Sequence, residues 1–125
     1  MNFKLLKVVC KKYNLNQFIN TSLKISVFDN ELSCFYIIKR NIFERLSSKD
    51  SKLKYKVFKN EDYGMRGAIS NVKYFKDRDS AATYVWQLFK DHVKQMAENP
   101  DASKNLTDKK NSLLEIIQFV EDKYL

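Results

Sequence analysis

The chain is short of the residues that punctuate and staple small proteins. Its 125 residues include two glycines, one proline and two cysteines. So little glycine and proline excludes collagen-like, Pro-rich and Gly-rich linker architectures. Two glycines also leave little material for a backbone cradle around phosphate. No GxxxxGK[ST], GxGxxG or HExxH occurs, so enzymes built on those motifs, and any nucleotide cofactor they would hold, are not expected. Cys10 and Cys34 belong to no CxxC and no Cys/His cluster, and are expected to be buried free thiols in a reducing, cytoplasmic setting. Long apolar runs are missing as well. Nothing approaches the ~18 consecutive apolar residues of a membrane span. Lysines interrupt the opening MNFKLLKVVCKK, so neither a membrane partner nor a secretory leader is expected.

What is present is apolar, aromatic and basic. Hydrophobic residues make up 44% and aromatics 14%, enough for a packed core, and the length suits a single domain over 1–125. The formal net charge is +8, and its distribution is uneven. Residues 1–60 hold 13 Lys/Arg against 4 Asp/Glu, whereas residues 61–125 hold 10 against 11. A concentrated excess of this kind raises the local concentration of polyanions. Nineteen of the cations are lysine and four arginine. Lysine is a mobile point charge suited to phosphate backbones, and arginine the better fork for base edges, so weak sequence discrimination is expected. The wealth of Lys, Asn and Ile also fits an AT-rich genome, such as that of a phage, a mobile element or a low-GC bacterium.

Periodicity predicts the elements. Phe3, Leu6, Val9/Cys10 and Tyr13 recur at helical spacing over 2–13, with Lys4, Lys7 and Lys11 on another face. The Asn-rich 14–20 stretch reads as a connection. Leu23, Ile25 and Val27 alternate with polar residues, Asp29-Asn30 is turn-like, and Leu32, Cys34, Tyr36 and Ile38 resume the alternation, which predicts a hairpin. With Phe35 and Ile37 on its second face, the 32–38 strand should be central. A helical turn with Ile42, Phe43 and Leu46 and a polar loop follow, then strands over 53–58 and 68–75. Ala82, Val85, Trp86, Phe89, Val93 and Met96 mark a helix over 81–97, capped by Asp79 or Ser80. A last helix is expected to start between Thr107 and Ser112, where Ser112–Glu115 matches a capping box. Its buried face would be Leu113, Ile116, Ile117, Val120 and Tyr124, and 100–111 would be the most mobile segment. The fold class is therefore α+β: a three- or four-stranded, mainly antiparallel sheet, with an N-terminal helix and two C-terminal helices.

The candidate site is a basic surface. Lys4, Lys7, Lys11, Lys24, Lys52, Lys54 and Lys56 are the residues expected to contact nucleic acid, because phosphate backbones need several cations at regular spacing. Lys52, Lys54 and Lys56, two residues apart, would form a row on one strand face at steps of roughly 6.5–7 Å. Phe28, Tyr55 and Tyr74 can stack bases if exposed. The plainer account is a solvated strand face with a lysine-guarded edge. No catalytic or metal-binding set is expected. Asp50-Ser51-Lys52 has the D-x-K spacing of some metal nucleases, with Asp29 upstream, and Asp77 and Asp79 form a close pair, but such spacings are frequent accidents in a lysine-rich chain. His92, the single histidine, has no local partner motif and reads as structural.

The functional expectation is a small, non-catalytic binding protein that contacts nucleic acid, or a nucleoprotein, through its basic N-terminal half. The alternative is a protein-interaction module, such as a phage or mobile-element inhibitor that binds an acidic or nucleic-acid-handling host enzyme. Exposed rings among the lysines would favour the first, and a contiguous apolar patch the second.

Overall fold

Each helix begins where a polar side chain takes up a free backbone amide. The structure, a computed structural model, describes residues 1–24, 33–46, 51–60 and 69–125. Helix α1 (Phe3–Lys12) starts at Asn2, whose Oδ1 accepts the Leu5 N–H at 2.7 Å. It stops at Asn14, which takes the left-handed conformation (φ 56°) that Asn tolerates better than most residues. Phe3, Leu6, Val9 and Cys10 form its buried stripe. Strand β1 (Ile19–Leu23) is followed by β2 (Phe35–Lys39), the short helix α2 (Ile42–Leu46), β3 (Tyr55–Asn60), β4 (Ile69–Phe75), α3 (Arg78–Gln95) and α4 (Lys104–Tyr124). The class is α+β: a four-stranded mixed sheet with one N-terminal and two C-terminal helices.

The strand order is β1-β2-β3-β4, so β2 is central, as its two apolar faces require. Phe35, Tyr36 and Ile37 are all buried. The β2–β3 and β3–β4 pairs are antiparallel. The first pair corrects the hairpin expectation, because β1 lies parallel to β2 and Ile19 faces Phe35. The strand sits earlier than its alternation suggested, on residues that read as an Asn-rich connection. Burial of Phe18 and Ile19 outweighs the turn preference of Asn16 and Asn20, and the Phe35 N–H completes the pairing on the Phe18 carbonyl at 2.7 Å. A parallel pair needs a long crossover rather than a tight turn. Most of that crossover, with Phe28, Asp29 and Asn30, lies outside the described residues, as do Asp50 and the glycines at 64 and 67.

The chain divides into two compact units, residues 1–86 and 87–125. In the first, Ile37, Val57 and Phe75 share one face of the sheet. The Tyr84 ring from the start of α3 meets Phe75 at 5.4 Å, and Asp79 accepts the Phe3 N–H of α1 at 2.9 Å. Asp79 is therefore a tether between α1 and α3. The cap of α3 is Asp77, whose carboxylate accepts the Ser80 N–H at 2.7 Å and the Ser80 hydroxyl at 3.0 Å. Ala81, Ala82, Val85 and Trp86 are buried here.

The second unit holds the rest of α3 and all of α4, with Phe89, Val93, Leu113, Ile117 and Val120 buried. Lys90 Nζ meets Glu121 Oε2 at 3.1 Å. Helix α4 begins earlier than expected. Ser103 Oγ accepts the Leu106 N–H at 3.2 Å, so Ser112 and Glu115 fall inside the helix and the segment expected to be mobile is mostly its first two turns. Among the described residues, no helix is long and apolar enough to cross a membrane.

Candidate nucleic-acid interface

Strand direction decides which cations meet. Strands β1 and β2 run the same way and β3 the opposite way, and β4 returns. One end of the sheet therefore collects the ends of β1, β2 and β4 and the start of β3. Lys24 follows β1 there, Arg40 follows β2, Lys54 precedes β3 and Lys76 follows β4. The loop between β2 and β3, with α2 in it, closes the same end.

Arg40 organises this end. Its side chain is buried, with the residue only 6% exposed. Its backbone N–H donates to the Lys54 carbonyl at 2.8 Å, extending the β2–β3 ladder by one bond. The guanidinium donates to the Leu53 carbonyl at 2.8 Å, sits 3.4 Å from Glu44 Oε1 on α2, and stacks over the Tyr74 ring of β4 at 4.7 Å. One planar fork thus holds together the loop, α2 and the edge strand. Asn41 caps α2, its Oδ1 accepting the Glu44 N–H at 2.7 Å. Arg45 Nε donates to the Ser51 carbonyl at 2.9 Å.

Two surfaces result. Ile42, Arg45, Leu46, Ser51, Lys52 and Lys54 line an open depression of about 380 Å³. Beside it, Lys56 pairs across the ladder with Tyr74, on the sheet face opposite Val57 and Phe75. Its Nζ lies 5.5 Å from the Phe58 ring centroid, and Phe58 stacks on Tyr36 at 5.1 Å. Cations and rings therefore alternate along this part of the sheet: Phe58, Lys56, Tyr74, Arg40.

Of the seven lysines proposed from sequence, four gather at this end: Lys24, Lys52, Lys54 and Lys56. The other three, Lys4, Lys7 and Lys11, form an exposed row on α1, in the helical layer, and are a separate group. The expected single row over 52–56 is corrected. Strand β3 starts at Tyr55, so only Lys56 lies in it, and Lys52 and Lys54 belong to the loop beside α2. Tyr55 is half-buried and faces Phe75, so it is not a stacking surface, whereas Tyr74 is 38% exposed.

Sequence reasoning missed Arg40, Arg45 and Lys76, and it read the α2 apolar residues only as periodicity. Ile42 is 61% exposed, Phe43 80% and Leu46 73%. Three bulky apolar side chains in five residues, followed by SSKDSK with no further apolar partner, were the available signal. Among the described residues, the carboxylates at this end are Glu44, engaged with Arg40, and Asp77, engaged with Ser80. The Ser80 amide and hydroxyl hold Asp77 below the usual carboxylate range. Asp77 is engaged by Ser80 and Asp79 Oδ1 by the Phe3 amide, and among the described residues no group of three or more His, Cys, Asp or Glu side chains is placed to hold a metal. Cys10 is buried, which pushes its thiol up to about 12, and Cys34 is half-buried. His92 is half-buried on α3. No protein-family model, no curated protein and no solved structure matches the chain.

Proposed function

We propose that this protein is a non-catalytic binder of nucleic acid, working through the basic end of its sheet. The observation that carries the reading is the gathering of Lys24, Lys52, Lys54 and Lys56 at one end of the sheet, where Tyr74 is exposed, while Glu44 and Asp77 are both engaged internally. Several mobile cations beside one another displace counterions from a phosphate backbone, which yields affinity with little sequence preference. The lysine row on α1 is a second basic surface that a long strand can reach.

The test is fluorescence anisotropy with labelled oligonucleotides at about 50 and 200 mM salt. Binding should weaken steeply with salt. Lys52→Glu with Lys54→Glu should weaken it further and reduce the salt slope by about 1.4–1.8, the share of two phosphate contacts. Both side chains are exposed, so the doubly substituted protein should melt like the parent. No binding at low salt, or an unchanged slope, refutes the reading.

A second reading draws on the exposure of Ile42, Phe43 and Leu46. A patch of that kind beside lysines also suits an acidic protein partner, as an inhibitor of a nucleic-acid-handling enzyme would need.

A further inference from the structure

Resting on the nucleic-acid reading, we infer that the basic end of the sheet selects single strands over duplex, with Phe43 as the surface on which an unpaired base stacks. Phe43 is the most exposed large hydrophobic residue described, at 80%. It stands on α2, and α2 also supplies one wall of the depression that Lys52 and Lys54 complete. A base has an apolar face and a charged backbone a few ångströms away. A bare ring on the helix that borders two free ammonium groups matches both features at once.

The same geometry disfavours a duplex. In a double helix the bases cover one another's faces, and a ring that stacks on one must first unstack a step. A helix that reads the major groove lies along it and presents hydrogen-bond donors to base edges. Helix α2 has five residues, a length of about 7.5 Å. Its outward side chains are Ile42, Phe43 and Leu46, which carry no donor. Its two charged residues are turned to the protein, Glu44 to Arg40 and Arg45 to the Ser51 carbonyl. Against a groove rimmed with phosphate, those apolar groups would meet only the thymine methyls and no hydrogen-bonding edge. Against a flexible strand, they are covered by bases while Lys52, Lys54 and Lys56 meet the phosphates. Tyr74 adds a second ring, backed by Arg40 at 4.7 Å and cross-strand from Lys56.

The experiment compares a labelled 15-nucleotide thymidine strand with a 15-base-pair duplex, at about 100 mM salt, for the parent and for Phe43→Ala. The parent should bind the strand at least about tenfold more tightly than the duplex. Phe43→Ala should weaken strand binding about tenfold, the scale of one lost base–ring stack, with its salt slope and duplex binding unchanged. Phe43→Trp should restore the strand affinity, which a merely structural role for Phe43 would not predict. Equal affinity for strand and duplex, with Phe43→Ala moving neither, overturns the single-strand inference and leaves the nucleic-acid reading in place. No binding to either form at 50 mM salt overturns both, and would leave α2 as a surface for an acidic protein.

Discussion

Removing the Arg40 side chain should undo the basic end of the sheet, and its cost can be worked from the contacts. Arg40→Ala deletes a charge-assisted hydrogen bond to the Leu53 carbonyl at 2.8 Å, a contribution of about 1.5–3 kcal/mol. It deletes the stacking over Tyr74 at 4.7 Å, worth about 0.5–1 kcal/mol where the ring is partly in water. The Glu44 contact adds a few tenths of a kcal/mol at most, because it is 3.4 Å long and the Glu44 side chain is 41% exposed. The three do not add simply, since they share one side chain. The expected loss is about 2–4 kcal/mol, a large part of a small protein's stability. Arg40→Lys keeps the charge and the apolar stem but not the planar fork, so it should fall between parent and alanine. Urea unfolding followed by circular dichroism at pH 7 measures both. A loss under about 0.5 kcal/mol for Arg40→Ala would mean that the buried guanidinium does not hold the loop, α2 and β4 together, and that the loop lysines are placed by something else.

Two further predictions concern groups with displaced proton equilibria. Asp77→Ala should lower the melting temperature at neutral pH by removing the α3 cap. The folded carboxylate titrates below its unfolded value near ~3.9, so its contribution is present above that value and is lost as pH falls through the lower folded value. The gap between parent and Asp77→Ala should therefore close on acidification below pH ~4, and a gap that stays constant to pH ~2 would contradict the capping role. With its thiol near 12, Cys10 has only about one molecule in ten thousand ionised at pH 8. Cys34, half-buried, should react with a thiol reagent in the native state, and Cys10 only after urea is added. Equal native rates for the two would show that the core around α1 opens freely.

Much of the architecture was legible because it rests on local periodicity. Phe3, Leu6 and Val9 at helical spacing required α1, and the apolar stripe from Ala82 to Val93 required α3. A strand apolar on both faces, Phe35 to Ile38, had to be central. Caps were less legible, because each helix start offers several polar residues. Asp77 rather than Asp79 caps α3 because Asp79 is drawn to the Phe3 amide, 76 residues away in sequence. Ser103 rather than Ser112 starts α4, since either serine can accept an amide and burial of Leu113, Ile117 and Val120 is served by both.

The functional end divides the same way. Composition alone concentrated the positive charge in residues 1–60. It could not say that Lys24, Lys52, Lys54 and Lys56 share one end of a sheet while Lys4, Lys7 and Lys11 do not. That depends on strand direction, and direction between distant segments is set by which buried side chains pair. Phe18 and Ile19 joined β2 in parallel where alternation pointed to a hairpin. Nor does any local signal separate a buried Arg40 from an exposed one. An arginine is buried only where a carbonyl, a carboxylate and a ring converge on it from other segments, and a short apolar helix stays exposed only where the surrounding chain leaves it uncovered. Local order was written in the sequence. The meeting of distant charges and rings was decided by the tertiary structure.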